Sequence, residues 1–352
     1  MSGVKDYKNY SHYNMGICLL RMMACFLVIA ANNWEINTPS SGALGWLYYL
    51  RNYSVSIFMI LAFYFCEKMI ATSDTDRFLK RLVKLIVPLF AWAIIYWIFY
   101  KVLSEVLYPG YNISVKDLLW QMFTGNSIYL NSFMWFSAVL IILTVLIFVI
   151  VFITNKFHNP ILGLLAILCI YAEYAGLMLF LTRYKAEIAG SVGRLHEMFP
   201  LAVLGYMIAY FGLVEKSRKH WIITMLFAVV ALWLIRRFGV FADPSVQTFG
   251  YAGIKMIVTA LLLVFLFFAP PLEKLPKFIR VIIEWLTKYT LGIYCMQSLV
   301  ATLLHYYISH RNIGIELETY TIFDCIRIYA VCYVISFLIS RIPCKWTRML
   351  VE

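Results

Sequence analysis

The chain has 352 residues, of which 63% are hydrophobic and 14% charged, and its formal net charge is +12. A soluble domain usually has about 25% charged and about 45–50% apolar residues, so a soluble fold of this length could not cover so much apolar surface. A lipid bilayer can cover it, and Lys and Arg accumulate in cytoplasmic loops of membrane proteins, so the basic charge requires no nucleic-acid partner.

Apolar runs of the length that crosses a hydrocarbon core, about 17–25 residues, follow one another along the chain. They lack the two-residue alternation of barrel strands. We therefore predict an all-α, polytopic transmembrane bundle, a single integral-membrane domain over residues 1–352. The first helix follows a polar segment and contains Arg21, so we expect it to be retained and not cleaved as a signal. About ten spans are expected, at residues 15–33, 50–70, 82–104, 134–154, 161–181, 197–213, 221–238, 251–270, 283–308 and 322–341.

Lys and Arg are more frequent in the N-terminal segment and the even-numbered connections than in the odd-numbered ones. This asymmetry predicts that both termini and the 71–81 connection face the cytoplasm. The predicted outer connections at 34–49 and 105–133 are rich in turn-forming residues and long enough to shape an outward-facing site. The eight cysteines show no paired metal spacing, and we expect no metal site.

Polar residues inside the predicted spans are the first functional candidates, because a charge in a membrane helix costs several kcal/mol. Arg21 and Asn32 lie eleven residues apart, which on a helix places them within about 20° of one face and roughly 16 Å apart. We expect both to face the bundle interior. The alternative is that Arg21 reaches the lipid headgroups while Asn32 joins two helices by hydrogen bonds.

Two further clusters are candidates. Arg81 and Lys84 lie three residues apart at a helix entry, where a paired cationic face could hold an anionic cofactor such as a nucleotide phosphate, or could be an ordinary positive-inside anchor. His196 and Glu197 follow Arg194 and could act as a general base with its partner, or could form a solvated interfacial cluster.

Six short motifs occur in a recognisable order: Leu20-Arg21-Met22-Met23-Ala24 with Asn32, Ser56-Ile57-Phe58-Met59, Lys80-Arg81-Leu82-Val83-Lys84 through Pro88, Met134-Trp135-Phe136, Phe199-Pro200 through Leu204-Gly205-Tyr206, and Tyr289-Thr290-Leu291-Gly292-Ile293-Tyr294. Together they resemble acyltransferase family 3, whose multi-helix membrane proteins acylate sugars of the cell envelope. The resemblance covers about residues 12–345.

The resemblance implies roles for residues at the matching positions. Acetyl-CoA or another acyl-CoA would be the donor, with no permanently bound cofactor, and Arg21, Arg81 and Lys84 would hold its phosphates or position its thioester. Trp135 would stack on a sugar or on the donor. The acceptor would be a glycan or a lipid-linked sugar.

This sequence departs from the family at two positions where a histidine is expected, because it has Asn32 in the first helix and Gln297 after the late motif. The family's Ser-Gly pair on the second helix is also replaced, by Ala62-Phe63. An amide cannot deprotonate a sugar hydroxyl. The replacement candidates for the base are His196, Glu197 and Glu173. Gln297 could bind sugar hydroxyls or a carbonyl without moving a proton.

Two functions follow from these features. The first is an integral-membrane O-acyltransferase of the cell membrane, expected in the bacterial inner membrane, that transfers an acetyl group to a cell-envelope or exported polysaccharide. The alternative is a non-catalytic family member that acts in polysaccharide export or donor transport, and a homo-oligomer is compatible with either. Membrane lipid is the one partner that the composition itself predicts.

Overall fold

The structure is a computed structural model that describes residues 15–33, 42–107, 114–116, 135–154, 157–174, 186–238, 253–310 and 322–351. Nearly all of these residues are helical, and the described part of the chain contains no β-strand. The predicted all-α class is therefore confirmed.

The helices follow one another in the order α1 (Met15–Asn33), α2 (Gly42–Leu50), α3 (Ser54–Tyr64), α4 (Glu67–Ala71), α5 (Thr75–Leu107), α6 (Trp135–Thr154), α7 (His158–Tyr174), α8 (Ala186–Tyr210), α9 (Leu213–Lys219), α10 (Trp221–Phe238), α11 (Ile254–Phe268), α12 (Lys277–Thr287), α13 (Thr290–His310), α14 (Ile322–Arg341) and α15 (Lys345–Val351). Two short 3₁₀ helices, Arg51–Tyr53 and Leu272–Lys274, precede α3 and α12.

The protein is a multi-pass membrane protein. In the described part of the chain, six helices are long and apolar enough to cross a bilayer, and a seventh crossing results if the bent pair Arg194–Tyr210 and Leu213–Lys219 is one span. The apolar segments His158–Ala172 and Thr290–Leu304 are shorter. Large apolar side chains such as Ile223 and Phe227 point outward from α10, as expected where lipid is the solvent. The count of ten spans and the cytoplasmic position of the termini stay predictions.

Several predicted spans need correction. The expected continuous helix at 50–70 is divided into a 3₁₀ turn, α3 and α4, and the one at 283–308 is divided between α12 and α13. The third span is longer than predicted, because α5 begins at Thr75 and continues through Pro88. After α8 the chain bends by 62° at Gly212, whose φ of 59° is left-handed and favours glycine.

Close helix contacts position the walls of the interior. A Cβ at Gly205 in α8 would lie 2.9 Å from the carbonyl carbon of Ile60 in α3, so the backbones of these helices touch. A Cβ at Gly292 in α13 would lie 2.5 Å from the Ser336 hydroxyl and 2.9 Å from Val351. Small residues allow such approaches between membrane helices. These two glycines explain why the Gly-Tyr and Gly-Ile-Tyr motifs occur where they do.

Long-range hydrogen bonds join α5 to two helices from the C-terminal part of the chain, α13 and α15. The Trp92 indole N–H donates to the carbonyl of Leu350 at 3.1 Å, and the Tyr96 hydroxyl donates to the carbonyl of Cys295 at 2.7 Å. Both side chains are buried, and an unsatisfied polar group in an apolar interior costs free energy. The bonds therefore hold α5 against α13 and α15.

Candidate functional site

A cavity of about 290 Å³ lies where five helices meet. Its walls are mostly apolar, with a few polar groups, as is common for small-molecule sites. The lining residues come from α1 (Arg21), α3 (Phe58, Leu61, Ala62 and the following Phe65), α5 (Lys84, Leu85, Pro88, Leu89), α6 (Phe136, Ser137, Leu140) and α13 (Thr290, Leu291, Tyr294, Cys295). Five of the six sequence motifs thus contribute to one cavity or directly adjoin it.

Arg21 joins the first helix to the start of α13. Its Nη2 donates to the Thr290 hydroxyl at 2.8 Å, and the thiol of Cys25, one turn further, donates to the carbonyl of Thr290 at 3.6 Å. Arg21 is half-buried, and among the described residues it forms no ion pair. The guanidinium is therefore oriented by a neutral hydroxyl, and its charge is available to an anionic ligand. The prediction that Arg21 faces the bundle interior is confirmed.

Lys84 brings a second cation to the same cavity. It is exposed and lies one turn before Pro88, which also lines the wall. Because Pro88 has no N–H, it cannot donate the helical hydrogen bond to the carbonyl of Lys84. No Asp or Glu occurs among the described residues that line the cavity, so its two charged side chains are both positive.

Arg81 lies beside the cavity and does not line it. Its Nη2 donates to the carbonyl of Ala62 at 3.2 Å, and Ala62 belongs to the wall. The Nε of Arg81 is buried and has no hydrogen-bond partner in the described part of the chain. Of the predicted pair of cations, only Lys84 lines the cavity, whereas Arg81 joins α5 to α3 through its hydrogen bond to Ala62.

Three aromatic rings close one side of the cavity. Phe58, Phe136 and Tyr294 lie with ring centroids 6.0 to 6.5 Å apart and tilted or edge-on contacts. Aromatic pairs prefer such arrangements over face-to-face stacking. The cluster joins α3, α6 and α13, and it gives the cavity an aromatic wall.

Trp135 does not line the cavity, although the neighbouring Phe136 does. The guanidinium of Arg194 lies 4.3 Å from the centroid of the Trp135 ring, which is a cation–π contact. The indole is also only 7% exposed, so the structure does not present Trp135 for the expected stacking on a ligand. Sequence reasoning did not connect these two residues.

The candidate bases are separate from the cavity. His196 and Glu197 are half-buried in α8, two and three residues after Arg194, and neither lines the wall. Glu173 belongs to the last turn of α7, but its side chain lies outside the described residues. The structure therefore does not bring His196 and Glu197 together with Arg21 and Lys84, and the prediction for Glu173 lies outside the described side chains.

The two amides that replace the expected histidines differ in environment. Asn32 is exposed in the last turn of α1 and does not line the cavity, so the prediction that it faces the bundle interior is wrong. Gln297 is fully buried, and neither its Nε2 nor its Oε1 has a hydrogen-bond partner within the described chain. It follows Thr290 by seven residues, or roughly 10 Å along α13.

Sequence reasoning missed Thr290 and Tyr294 as site residues. They are four residues apart in α13, so they point to the same side of the helix, and both line the cavity. The late motif contained them, but the motif alone did not show which of its side chains face inward. The contact of Thr290 with Arg21 spans 269 residues of sequence.

Fold and site together define a multi-pass α-helical membrane protein with a small cationic cavity between its helices. A comparison with protein families matches residues 15–343 to the family described as an acyltransferase domain. The match covers nearly the whole chain, and the protein belongs to this family, acyltransferase family 3. Comparisons with curated proteins and with solved structures gave no match.

Proposed function

We propose that the protein is a membrane O-acyltransferase of the cell membrane that transfers an acetyl group, or a similar acyl group, from acyl-CoA to a sugar hydroxyl of a cell-envelope or exported polysaccharide. Family membership supports acyl transfer. The convergence of Arg21 and Lys84 on one cavity with an aromatic wall is the observation that carries the donor site.

The cavity suits part of an acyl-CoA. Arg and Lys side chains bind phosphate oxygens by charge-assisted hydrogen bonds, and Arg does so in a fixed planar geometry. The mostly apolar cavity of about 290 Å³ suits the acyl-thioester arm and is too small for the whole coenzyme. In this proposal the thioester enters toward Phe58, Phe136 and Tyr294, and the phosphates stay near the exposed Lys84.

Acyl transfer requires a proton acceptor. The sugar oxygen attacks the thioester carbonyl, a C–O bond forms, the C–S bond breaks, and the hydroxyl proton passes to a base while the thiolate leaves. The cavity residues of the described chain include no His, Asp or Glu. His196, Glu197 and Glu173 remain the candidates, with His196 or Glu197 our choice, and this proposal requires that base to come within hydrogen-bond reach of the acceptor hydroxyl while that hydroxyl meets the thioester carbonyl.

The alternative function is a non-catalytic role in polysaccharide export or donor transport. It is favoured by the two amides at expected histidine positions, since Asn32 and Gln297 can form hydrogen bonds but cannot accept a proton near pH 7. A donor-binding cavity without a base would serve transport, which needs no proton acceptor.

Chemical analysis of the host's surface glycans, with and without the gene, distinguishes the two functions. Loss of an ester group that reappears on complementation supports acyl transfer. Altered export of a glycan whose esters are unchanged supports the alternative. Transfer of label from acetyl-CoA to the native glycan in purified membranes then tests whether the protein itself carries out the reaction.

A further inference from the structure

Helix α12, Lys277–Thr287, differs from the spanning helices around it. It has 11 residues, about 16 Å, which is too short to cross a bilayer. Phe278, Val281, Ile282 and Trp285 occur at the i, i+3, i+4 and i+7 positions, and between 51% and 65% of each side chain is exposed. Four large apolar residues on one exposed helical face form a continuous stripe, which we call the α12 stripe.

The opposite face of α12 packs on the protein. Ile283 and Thr287 are buried there, and α12 contacts α1. At 100° per residue, the stripe lies roughly 170° from the centre of this buried face. The protein therefore covers one apolar side of the helix and leaves the other side open.

A charged flank separates the two apolar sides. Lys277, Glu284 and Lys288 are exposed and project within about 40° of one another around the helix axis, so they form this flank. Lys274 and Arg280 add positive charge nearby, while Glu273 is paired with Arg218. The surface around α12 is thus positive, with Glu284 its one acidic group outside that ion pair within the described residues 272–290.

The break between α12 and α13 is built into the fold. The last carbonyls of a helix have no partner within it. Here the Tyr333 hydroxyl donates to the carbonyl of Trp285 at 3.0 Å, and the Tyr329 hydroxyl donates to the carbonyl of Leu286 at 3.2 Å. Two tyrosines of α14 therefore satisfy carbonyls at the end of α12.

We propose that α12 lies in the plane of the membrane surface, with the α12 stripe in the acyl-chain boundary and the Lys277–Lys288 flank bound to acidic lipid headgroups. Short amphipathic helices with one apolar face and a basic polar flank bind membranes in this way. The apolar helix α13 begins at Thr290, three residues after the last residue of α12, so the bilayer around α13 is close to the stripe. The positive flank matches acidic headgroups in charge, which favours lipid over a protein partner.

Bromine in lipid acyl chains tests the position of the stripe. Wild type, Trp285→Phe and Trp233→Phe are reconstituted in phosphatidylcholine vesicles with unbrominated chains or with chains brominated near the carbonyl. The difference between wild type and each variant isolates one indole, and Trp233 is a control exposed on the spanning helix α10. We expect bromine near the carbonyl to quench the contribution of Trp285 to the tryptophan fluorescence. A Trp285 contribution that bromine leaves unchanged overturns the proposal and indicates that a protein covers the stripe.

Thermal unfolding tests the headgroup contact. Wild type, Lys277→Gln/Lys288→Gln and the control Lys216→Gln/Lys219→Gln, whose lysines are exposed on α9, are compared in phosphatidylcholine with and without phosphatidylglycerol. We expect phosphatidylglycerol to raise the unfolding temperature of wild type and control, and this shift to be lost in the α12 variant. A shift of equal size in all three proteins, or no shift in wild type, overturns the proposal.

Discussion

Arg21→Ala tests the donor site most directly. The substitution removes a half-buried guanidinium that lines the cavity and leaves the Thr290 hydroxyl without its donor. A hydrogen bond to a charged group contributes about 1.5–3 kcal/mol. Since each 1.4 kcal/mol is about a factor of ten in affinity, the variant should bind acyl-CoA roughly 10- to 150-fold more weakly.

Arg51→Ala is the matched control. Arg51 is also half-buried, and its Nη2 also donates to a hydroxyl at 2.8 Å, that of Tyr48, but it does not line the cavity. The assay is equilibrium binding of labelled acetyl-CoA to each variant in nanodiscs, with folding checked by gel filtration and thermal unfolding. We expect Arg51→Ala to bind the donor like wild type.

Thr290→Val separates orientation from charge. This change keeps the shape of the wall and the guanidinium but removes the hydroxyl that Arg21 contacts. The loss of a typical hydrogen bond, about 0.5–1.5 kcal/mol, predicts donor binding roughly 2- to 13-fold weaker, less than for Arg21→Ala. If Arg21→Ala and Arg51→Ala bind acetyl-CoA equally while both remain folded, the assignment of the donor to this cavity is refuted.

Three further predictions have clear expected outcomes. Gly205→Ala should lower stability by about 1–3 kcal/mol because its Cβ meets a backbone, whereas Gly163→Ala, which meets only a Met207 methyl at 3.4 Å, should be tolerated in the same thermal unfolding assay. Gln297→Leu should leave stability unchanged or raised, since it removes buried unpaired amide atoms, and a fall in acetyl transfer would then indicate substrate contact. His196→Ala should lower transfer by about 10²–10⁴-fold and Asn32→Ala only moderately; equal losses would contradict His196 as the base.

The sequence predicted the long, uninterrupted spans well. Residues 15–33, 221–238 and 322–341 coincide with α1, α10 and α14, because a long apolar run in lipid has no alternative to a helix. The break after Thr287 was missed for a physical reason. The carbonyls of Leu286 and Trp285 at the end of α12 accept hydrogen bonds from Tyr329 and Tyr333, more than 40 residues away. Local composition carries no sign of these contacts.

The site was predicted in part. Arg21 and Lys84 could be found, because a cation inside or beside an apolar span requires an explanation. Asn32 was placed inward by its helical spacing from Arg21, but spacing does not show which side chains other helices cover, and Asn32 is exposed. The roles of Thr290 and the aromatic cluster depend on which helices meet, and the sequence alone did not determine this.

The bond between Arg21 and Thr290 has a consequence for biogenesis. The two residues are 269 positions apart, and at about 5–20 residues per second of synthesis, Thr290 is made roughly 13–54 s after Arg21. During this interval α1 enters the bilayer with a guanidinium that lacks its native partner. Water, headgroups or an insertion factor must accommodate that charge in the meantime. The cavity is therefore completed only late in membrane insertion, when α13 arrives beside α1.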